Sequence, residues 1–309
     1  MRLIALFLLW FCSSGVSLAD AGASATVESL VAPAWVHRDG RRQPLVAGQP
    51  LAAGEMVQTG VAARVRLSLP DGSLVRLGQQ ARFFVAESEL RTRPARSLRA
   101  TLRVVAGAFR FSTSAVSRLR ATRDVTIRLP TLAAGIRGTD VWGRSSPDRD
   151  FVVLIEGRVS VRRDGSGEVV LDQPLSLLEN VPGQPPAPPS KVDPDTLGRY
   201  AAETEIAPGE GAQAPGGRWQ VVASAGNSER GALDDWDRLR AGGFNATIEP
   251  SGRRGGPIVY RVRVAGIATR EDAQAVAAAL AGSLGFHKAT VAPWAGDSRD
   301  GGRPQAGKS

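Results

Sequence analysis

Cysteine and histidine are scarce in this chain of 309 residues. The sequence has one cysteine, Cys12, and two histidines, His37 and His287. Cys12 lies in an N-terminal apolar run, so a chain that loses this run has no disulfide, no thiolate metal site and no cysteine nucleophile. The histidines are far apart in sequence, and neither has metal-ligand spacing or a nucleophile nearby. We therefore expect no bound metal and no cofactor.

No motif of the sequence assigns it a catalytic or nucleotide-binding role. It contains no Gly-x-Ser-x-Gly nucleophile motif and no dinucleotide fingerprint, and the Gly-x-x-x-x-Gly-Lys-Ser spacing at 302–309 follows a polar, glycine-rich stretch instead of the strand that precedes a phosphate-binding loop. Carboxylates are plentiful, so composition does not exclude a glycosidase that uses two acids, but no pattern positions such a pair. We expect the protein not to be an enzyme.

Long hydrophobic runs are confined to the N-terminus. Arg2 precedes an apolar run at 3–11 that is too short to span a bilayer, and small residues at 17–21 offer a cleavage site. This pattern predicts a cleaved signal peptide over 1–19; an uncleaved anchor is the alternative. No later stretch reaches the ~20 apolar residues of a transmembrane helix. We expect a periplasmic protein without a transmembrane segment after cleavage.

Basic residues outnumber acidic ones, with 39 Lys and Arg against 30 Asp and Glu and a net charge of +9. In an exported protein this balance favours anionic envelope polymers or lipid headgroups over nucleic acid, although arginines at outward strand positions would produce the same balance. The chain is long enough for two domains. An acidic segment with a proline-rich run at 181–189 predicts a linker over 173–216 that does not pack.

The C-terminal part, 217–294, contains the same short plan twice. An alternating strand at 219–224 is followed by an apolar helix stripe at 232–240, and a second strand at 260–265 is followed by a second stripe at 272–280. Each copy ends in a further strand. The plan predicts a βαββαβ domain, in which four strands form a sheet and both helices cover one face.

Strand alternation assigns residues to the two faces of this sheet. Val221 and Val262 belong to the apolar sets, which must face the helices. The other face is then open and suited to binding. The residues that we place there, and take as the candidate binding set, are Gln220, Ser224, Arg261, Arg263, Thr290 and Trp294.

Trp219-Gln-Val, Tyr260-Arg-Val-Arg-Val and the helix from Ala273 to Leu280 resemble the SPOR (sporulation-related repeat) family. The resemblance implies a ferredoxin-like α+β fold that binds peptidoglycan glycan strands stripped of their peptides. The chain has Val-Ala-Ser at 222–224 where the family usually has Gly-small-Phe, and Ala-Gly-Ile at 265–267 where Gly-Pro-Phe is common. An aromatic residue that often contacts sugar is therefore missing, and Trp294 is the candidate to replace it, although it could equally cap the core.

RNA-recognition domains share the βαββαβ plan, so nucleic acid is an alternative ligand. Their RNP1 signature needs glycine and exposed aromatic residues on the third strand. In this chain Tyr260 has the same parity as Val262 and is predicted to lie in the core. We expect no nucleic-acid binding.

The middle of the chain, 35–172, shows strand alternation and no helical period. Val65 and Leu67, for example, alternate with Arg66 and Ser68, and short strands recur between turns. This spacing predicts an all-β sandwich, barrel or rolled sheet.

Four motifs in this β region resemble the FecR family domain, and they occur in the family's order. They are Gly54-Glu-Met-Val-Gln-Thr-Gly60, Leu69-Pro-Asp-Gly-Ser-Leu74, Ala134-Gly-Ile-Arg-Gly-Thr-Asp140 and Ile155-Glu-Gly-Arg-Val-Ser-Val161. Family regulators have an anti-sigma region and a membrane helix before this domain, where this chain has the predicted signal peptide. Gly135 and Gly138 are expected to serve backbone geometry. Arg137 between them is the residue to examine if the domain binds an anion.

We therefore expect a multidomain, non-catalytic envelope protein. It would have an all-β FecR-like domain (35–172), the linker (173–216), an α+β SPOR-like domain (217–294) and a disordered tail (295–309). The SPOR-like sheet would bind peptidoglycan, and the FecR-like domain would act as a scaffold or contact another envelope protein. The alternative function is periplasmic sensing in envelope signal transduction through the FecR-like domain.

Overall fold

A computed structural model describes residues 23–91, 97–114, 122–163, 167–252 and 256–296. The predicted signal peptide at 1–19 and the tail from 297 onwards lie outside the described residues. The predicted fold class is confirmed, because an all-β N-terminal part is followed by an α+β C-terminal part.

The N-terminal part is built from strands that form two sheets. They are β1 (Ala25–Val31), β2 (Ala34–Arg38), β3 (Arg41–Pro44), β4 (Pro50–Leu51), β5 (Met56–Thr59), β6 (Arg64–Ser68), β7 (Leu74–Leu77), β8 (Arg82–Arg91), β9 (Ser97–Ser112), β10 (Thr122–Arg128), β11 (Leu132–Ile136), β12 (Asp140–Ser145), β13 (Asp150–Glu156), β14 (Val159–Arg163), β15 (Glu168–Leu171), β16 (Ser176–Asn180) and β17 (Ser190–Lys191).

Strand β9 belongs to both sheets. The first sheet has the order β4–β1–β6–β7–β9–β12–β13–β16–β17, and the second has β3–β2–β5–β8–β9–β10–β11–β14–β15. Between its two halves Gly107 has φ +89°, and a Cβ there would lie 2.5 Å from the Cα of Ala81. Only glycine fits this position, so Gly107 lets one long strand serve both sheets.

The core of the N-terminal part lies between the apolar sides of these strands. In β6, Val65 and Leu67 are fully buried while Arg64, Arg66 and Ser68 are partly exposed, as alternation predicts. Large side chains such as Phe83, Phe109 and Phe111 are also fully buried. Burying each such side chain contributes roughly 1.5–3 kcal/mol. The core therefore holds the two sheets together.

The predicted linker packs instead of remaining free, and this expectation was wrong. Residues 173–216 contain β16, β17, helix α1 (Pro194–Thr204) and β18 (Ala212–Gln213). The Tyr200 ring stacks on Trp142 with centroids 4.5 Å apart and planes 7° apart. The composition of this segment does not predict the contact, because its few apolar residues pack on strands that are distant in sequence. The proline-rich run itself is exposed, yet the guanidinium of Arg163 donates to the carbonyl oxygen of Ala187.

Acidic residues at the end of α1 bind arginines on the first sheet. Arg144 forms an ion pair with Glu203, and Arg110 donates to Glu205 at 3.0 Å and to both carboxylate oxygens of Asp140. The hydrogen bond to Asp140 raises the pKa of Arg110, whereas burial lowers the pKa of Arg76, whose Nε lies 3.2 Å from Glu205. Charge pairing thus fixes the helix on the sheet.

The C-terminal part is the predicted βαββαβ unit. Its elements are β19 (Trp219–Gly226), α2 (Glu229–Ala241), β20 (Ala246–Ser251), β21 (Val259–Ile267), α3 (Arg270–Leu284) and β22 (Thr290–Pro293). The antiparallel sheet has the order β22–β19–β21–β20. Ser228 caps α2, Thr269 caps α3, and Gly285 ends α3 with φ +75°. Tyr260 packs against the core, as predicted.

Strand β18 joins the two parts through backbone pairing. Gln213 lies opposite Leu30 of β1 and opposite Ile267 of β21. Nearby, the amide of Ala34 donates to the carbonyl oxygen of Gly243 at 3.2 Å. The two parts therefore contact each other directly, while the proposed domain boundaries stay a prediction. Within the described ranges, no helix is long and apolar enough to cross a membrane.

Candidate functional site

The face of the C-terminal sheet opposite the helices carries a continuous row of side chains. Thr290 lies opposite Val222, Val222 opposite Arg263, and Arg263 opposite Thr247. Directly opposed residues of neighbouring strands point to the same face. Buried Val221 and Val264 form the equivalent row on the helix side. Arg263 and Thr290 therefore lie on the same open face of the sheet.

Arg263 is the residue on this face with the most contacts. Its Nη1 donates to Oε1 of Gln220 at 3.2 Å and lies 3.2 Å from the Glu249 carboxylate. Its Nε donates to the hydroxyl of Thr247 at 3.4 Å. The side chain is only 11% exposed. Neighbours on the two adjoining strands, β19 and β20, thus hold the guanidinium in one place, so a ligand would meet a positioned cation.

Arg261 lies further along the same strand and is more exposed. Its Nη1 donates to the hydroxyl of Ser251 at 2.6 Å, and the residue lies opposite Ala225 and Glu249. Arg261 and Arg263 are separated by Val262, which is fully buried. The two arginines therefore lie on one face. Together with the negative charge of Glu249 they give this part of the face a net charge of one positive unit.

Ser224 does not lie on this face, and its predicted place was wrong. A β-bulge in β19 between Val222 and Ser224 puts Ser224 opposite the buried Val262. An extra residue in one strand shifts the alternation beyond it by one position. Ala225, one residue further along, lies opposite Arg261 instead.

Gln220 and Trp294 occupy the edge of the sheet next to β22. The Nε2 of Gln220 donates to the carbonyl oxygen of Pro293 at 3.0 Å, and the backbone amide of Trp294 donates to the carbonyl oxygen of Arg218 at 2.7 Å. Trp294 and Arg263 line the same cavity of about 260 Å³, next to β18. The structure thus brings Gln220, Arg263 and Trp294 together, with Arg261 and Thr290 on either side.

Two residues of the open face were not predicted from the sequence. Thr247 and Glu249 alternate with Ala246 and Ile248 along β20, and both are exposed beside Arg263. The signal was the alternation of β20, which the prediction did not use to assign a face. Glu249 matters because it neutralises part of the charge that an anionic ligand would meet.

The chemistry of the face is that of a polar and cationic binding surface. Its guanidinium, amide and hydroxyl groups can donate to hydroxyls, amide carbonyls and carboxylates. In the part of the chain that the structure describes, no cluster of three or more His, Cys, Asp or Glu residues could hold a metal ion. The arrangement supports binding and positions no nucleophile or acid–base pair.

Two family models match the chain. The model of the FecR protein family matches residues 55–160, and the model of the SPOR domain matches residues 215–293. The chain joins a FecR domain to a C-terminal SPOR domain. The sheet face described above belongs to the SPOR domain. Both families are non-catalytic binding or regulatory domains of the cell envelope, and a SPOR domain indicates peptidoglycan binding.

Similarity of the chain to whole proteins is low. No curated protein sequence matches the chain. Two crystal structures from Parabacteroides distasonis, each described as a candidate anti-sigma factor, are similar to it at 12% identity. One covers 74% of this chain and 91% of its own with a TM-score of 0.38, and the other covers 66% and 97% with 0.36.

Proposed function

We propose that the chain is an exported, non-catalytic periplasmic protein whose SPOR domain binds peptidoglycan glycan strands that have lost their stem peptides. The open sheet face is the binding surface. The residues that we assign to it are Gln220, Arg261, Arg263, Thr290 and Trp294.

The positioned guanidinium of Arg263 is the observation that carries this proposal. Removal of a stem peptide converts a lactyl amide into a lactyl carboxylate, so stripped glycan bears a regular series of negative charges. An arginine fork donates two charge-assisted hydrogen bonds to one carboxylate. Arg263 and the more exposed Arg261 lie two residues apart on one strand, on the same face. Glycan with intact stem peptides has no such carboxylate at this position.

Neutral groups of the face would contact the sugar itself. Gln220 has both a donor and an acceptor for acetamido and hydroxyl groups, and Thr290 adds an exposed hydroxyl. The Trp294 indole offers a flat apolar surface in place of the aromatic residue that the family usually has at the end of the first strand. These contacts would orient the glycan, while the arginines would favour glycan that carries lactyl carboxylates over glycan that does not.

The FecR domain is the second functional module. We assign it a scaffold or partner-binding role, because its strands pack directly against the SPOR domain through β18. Envelope signalling through this domain is the second candidate function, and the FecR match over 55–160 favours it. A neighbouring gene pair for a sigma factor and an anti-sigma factor would support signalling, whereas neighbouring wall hydrolases would support glycan binding.

Co-sedimentation of the purified chain with sacculi tests the proposal. We expect more binding to sacculi that an amidase has stripped of stem peptides than to untreated sacculi. Raising the salt concentration should weaken this preference, because it rests on charge. Equal binding to both preparations would contradict the preference for stripped glycan. No binding to either would contradict the proposed function.

A further inference from the structure

A groove with three arginines runs across the outer face of the second sheet in the FecR domain. It has a volume of about 850 Å³ and is lined by residues of β8, β9, β10, β11 and β14 and of the turn after β10. This volume is in the range of about 300–1,000 Å³ that is usual for small-molecule sites. The lining includes Arg103, Arg128 and Arg162, with Glu87 as its acidic member.

Strand register places the three arginines in one row. Arg103 lies opposite Arg128, Arg128 opposite Ala133, and Ala133 opposite Arg162. Neighbouring strands are roughly 4.8 Å apart, so Arg128 has Arg103 one strand away on one side and Arg162 roughly 10 Å away on the other. All three side chains are exposed. The small Ala133 leaves the space between Arg128 and Arg162 open.

These arginines lack the partners that other arginines of the same domain have. Arg110 binds Asp140 and Glu205, and Arg99, on the same face as the groove, lies 3.3 Å from Asp124. Within the described ranges, the side chains of Arg103, Arg128 and Arg162 make no hydrogen bond or ion pair, although Glu168 of β15 lies opposite Arg162. Like charges in adjacent positions repel, so the row is a place where bound negative charge lowers the energy.

A second row, of small side chains, lies beside the arginine row. Thr101 is opposite Thr126, Thr126 opposite Gly135, and Gly135 opposite Ser160. None of these residues rises far above the sheet, and three of the four carry a hydroxyl. They form a shallow floor along which a ligand can extend while it contacts the arginines.

We propose that this groove binds a ligand with two phosphate groups about 10–12 Å apart, in keeping with the strand spacing. One phosphate would bind between Arg103 and Arg128, and the other would bind Arg162. A phosphate monoester carries about −1.5 to −2 charges at neutral pH, which balances two adjacent guanidinium groups better than a single carboxylate does. The ligand is either a soluble phosphorylated molecule or the phosphorylated headgroup of a lipid. This site is separate from the glycan-binding face and does not depend on that assignment.

Binding of the full chain to two probes tests the proposal. The soluble probe is inositol hexakisphosphate, followed by calorimetry, and the membrane probe is phosphatidylinositol 4-phosphate, whose headgroup has two phosphates, in phosphatidylcholine vesicles, followed by co-sedimentation. We expect Arg128→Gln and Arg162→Gln each to weaken binding roughly tenfold, because each removes a charge-assisted interaction. Arg99→Gln removes the same charge from the same face and should change binding less than twofold. Glu87→Gln should strengthen binding roughly twofold by removing a nearby negative charge.

The two probes also distinguish the source of the phosphates. Binding to the soluble probe with this mutational pattern supports a free phosphorylated ligand, and binding to vesicles alone supports a lipid headgroup. Equal losses of affinity in Arg99→Gln and Arg128→Gln would show that the net positive charge of the whole protein attracts the probe, and this would overturn the proposal. Absence of binding to both probes would overturn it as well. Unchanged near-UV circular dichroism of each variant excludes unfolding as the cause.

Discussion

One carboxylate holds the entry segment of the SPOR domain against helix α3. Asp272 is only 2% exposed. Its Oδ1 accepts hydrogen bonds from the backbone amides of Gly209, Gly211 and Ala212, each at 3.0 Å. Its Oδ2 accepts from the hydroxyl of Thr269 at 2.8 Å. Because β18 follows directly, this carboxylate also fixes the strand that joins the two domains.

Replacing Asp272 by alanine should therefore be strongly destabilising. The change leaves three backbone donors without a partner, and each buried unsatisfied donor costs about 1–3 kcal/mol. The three amides share one acceptor and their costs do not add fully, so we expect a loss of about 3–5 kcal/mol in the free energy of unfolding. Asp272→Asn keeps an oxygen acceptor without the charge and should lose about 1–2 kcal/mol.

Urea denaturation of the two variants measures these losses, and amide hydrogen exchange locates them. In Asp272→Ala, the amides at 209–212 should exchange much faster, while those of β6 and β7 keep their protection. A loss below about 1 kcal/mol in Asp272→Ala, or equal losses in the two variants, would refute the reasoning from unsatisfied donors.

Two further predictions concern helix α1. Tyr200→Ala should release the helix from Trp142 and lower the free energy of unfolding by about 2–4 kcal/mol, because it removes a stacked ring from a packed site. Proteolysis should then cut residues 190–205 faster than in the wild type, and an unchanged rate of cleavage would contradict the prediction. Asp193 caps the helix, and its hydrogen bond to Thr196 lowers its pKa from 3.8. A depressed carboxyl pKa stabilises the folded state above the unfolded value and loses this effect as the pH falls through the folded value. The protection of α1 against hydrogen exchange, measured relative to the intrinsic exchange rate, should therefore fall below pH 3.8 in the wild type, and Asp193→Ala should remove that fall.

Much of the SPOR fold could be predicted because its signals are local. Strand alternation around Val262, capping residues such as Ser228 and the helix stop at Gly285 each act within a few residues. The exception on the binding face is Ser224. The sequence pattern around it continues to alternate, whereas the bulge depends on how β19 pairs with β21.

The packing of 173–216 could not be predicted because its partners are distant in sequence. Prolines and acids dominate the composition of this segment, so alternation and helical periodicity are weak. Tyr200 becomes a core residue only through Trp142, and Glu205 becomes an ion-pair partner only through Arg110. Likewise, Thr269 and Asp272 have the local spacing of a helix cap, but the three amides that bind Asp272 come from residues 209–212.

Binding of the Arg261→Ala/Arg263→Ala double variant to amidase-treated sacculi is the most direct test of the proposed glycan-binding face. Losing a charged hydrogen bond costs about 1.5–3 kcal/mol, so even one lost contact should weaken binding roughly ten- to a hundredfold. Ser224→Ala serves as the matched control, since Ser224 lies opposite buried Val262, and it should bind like the wild type. Wild-type affinity in the folded double variant would contradict the assignment of this face to glycan.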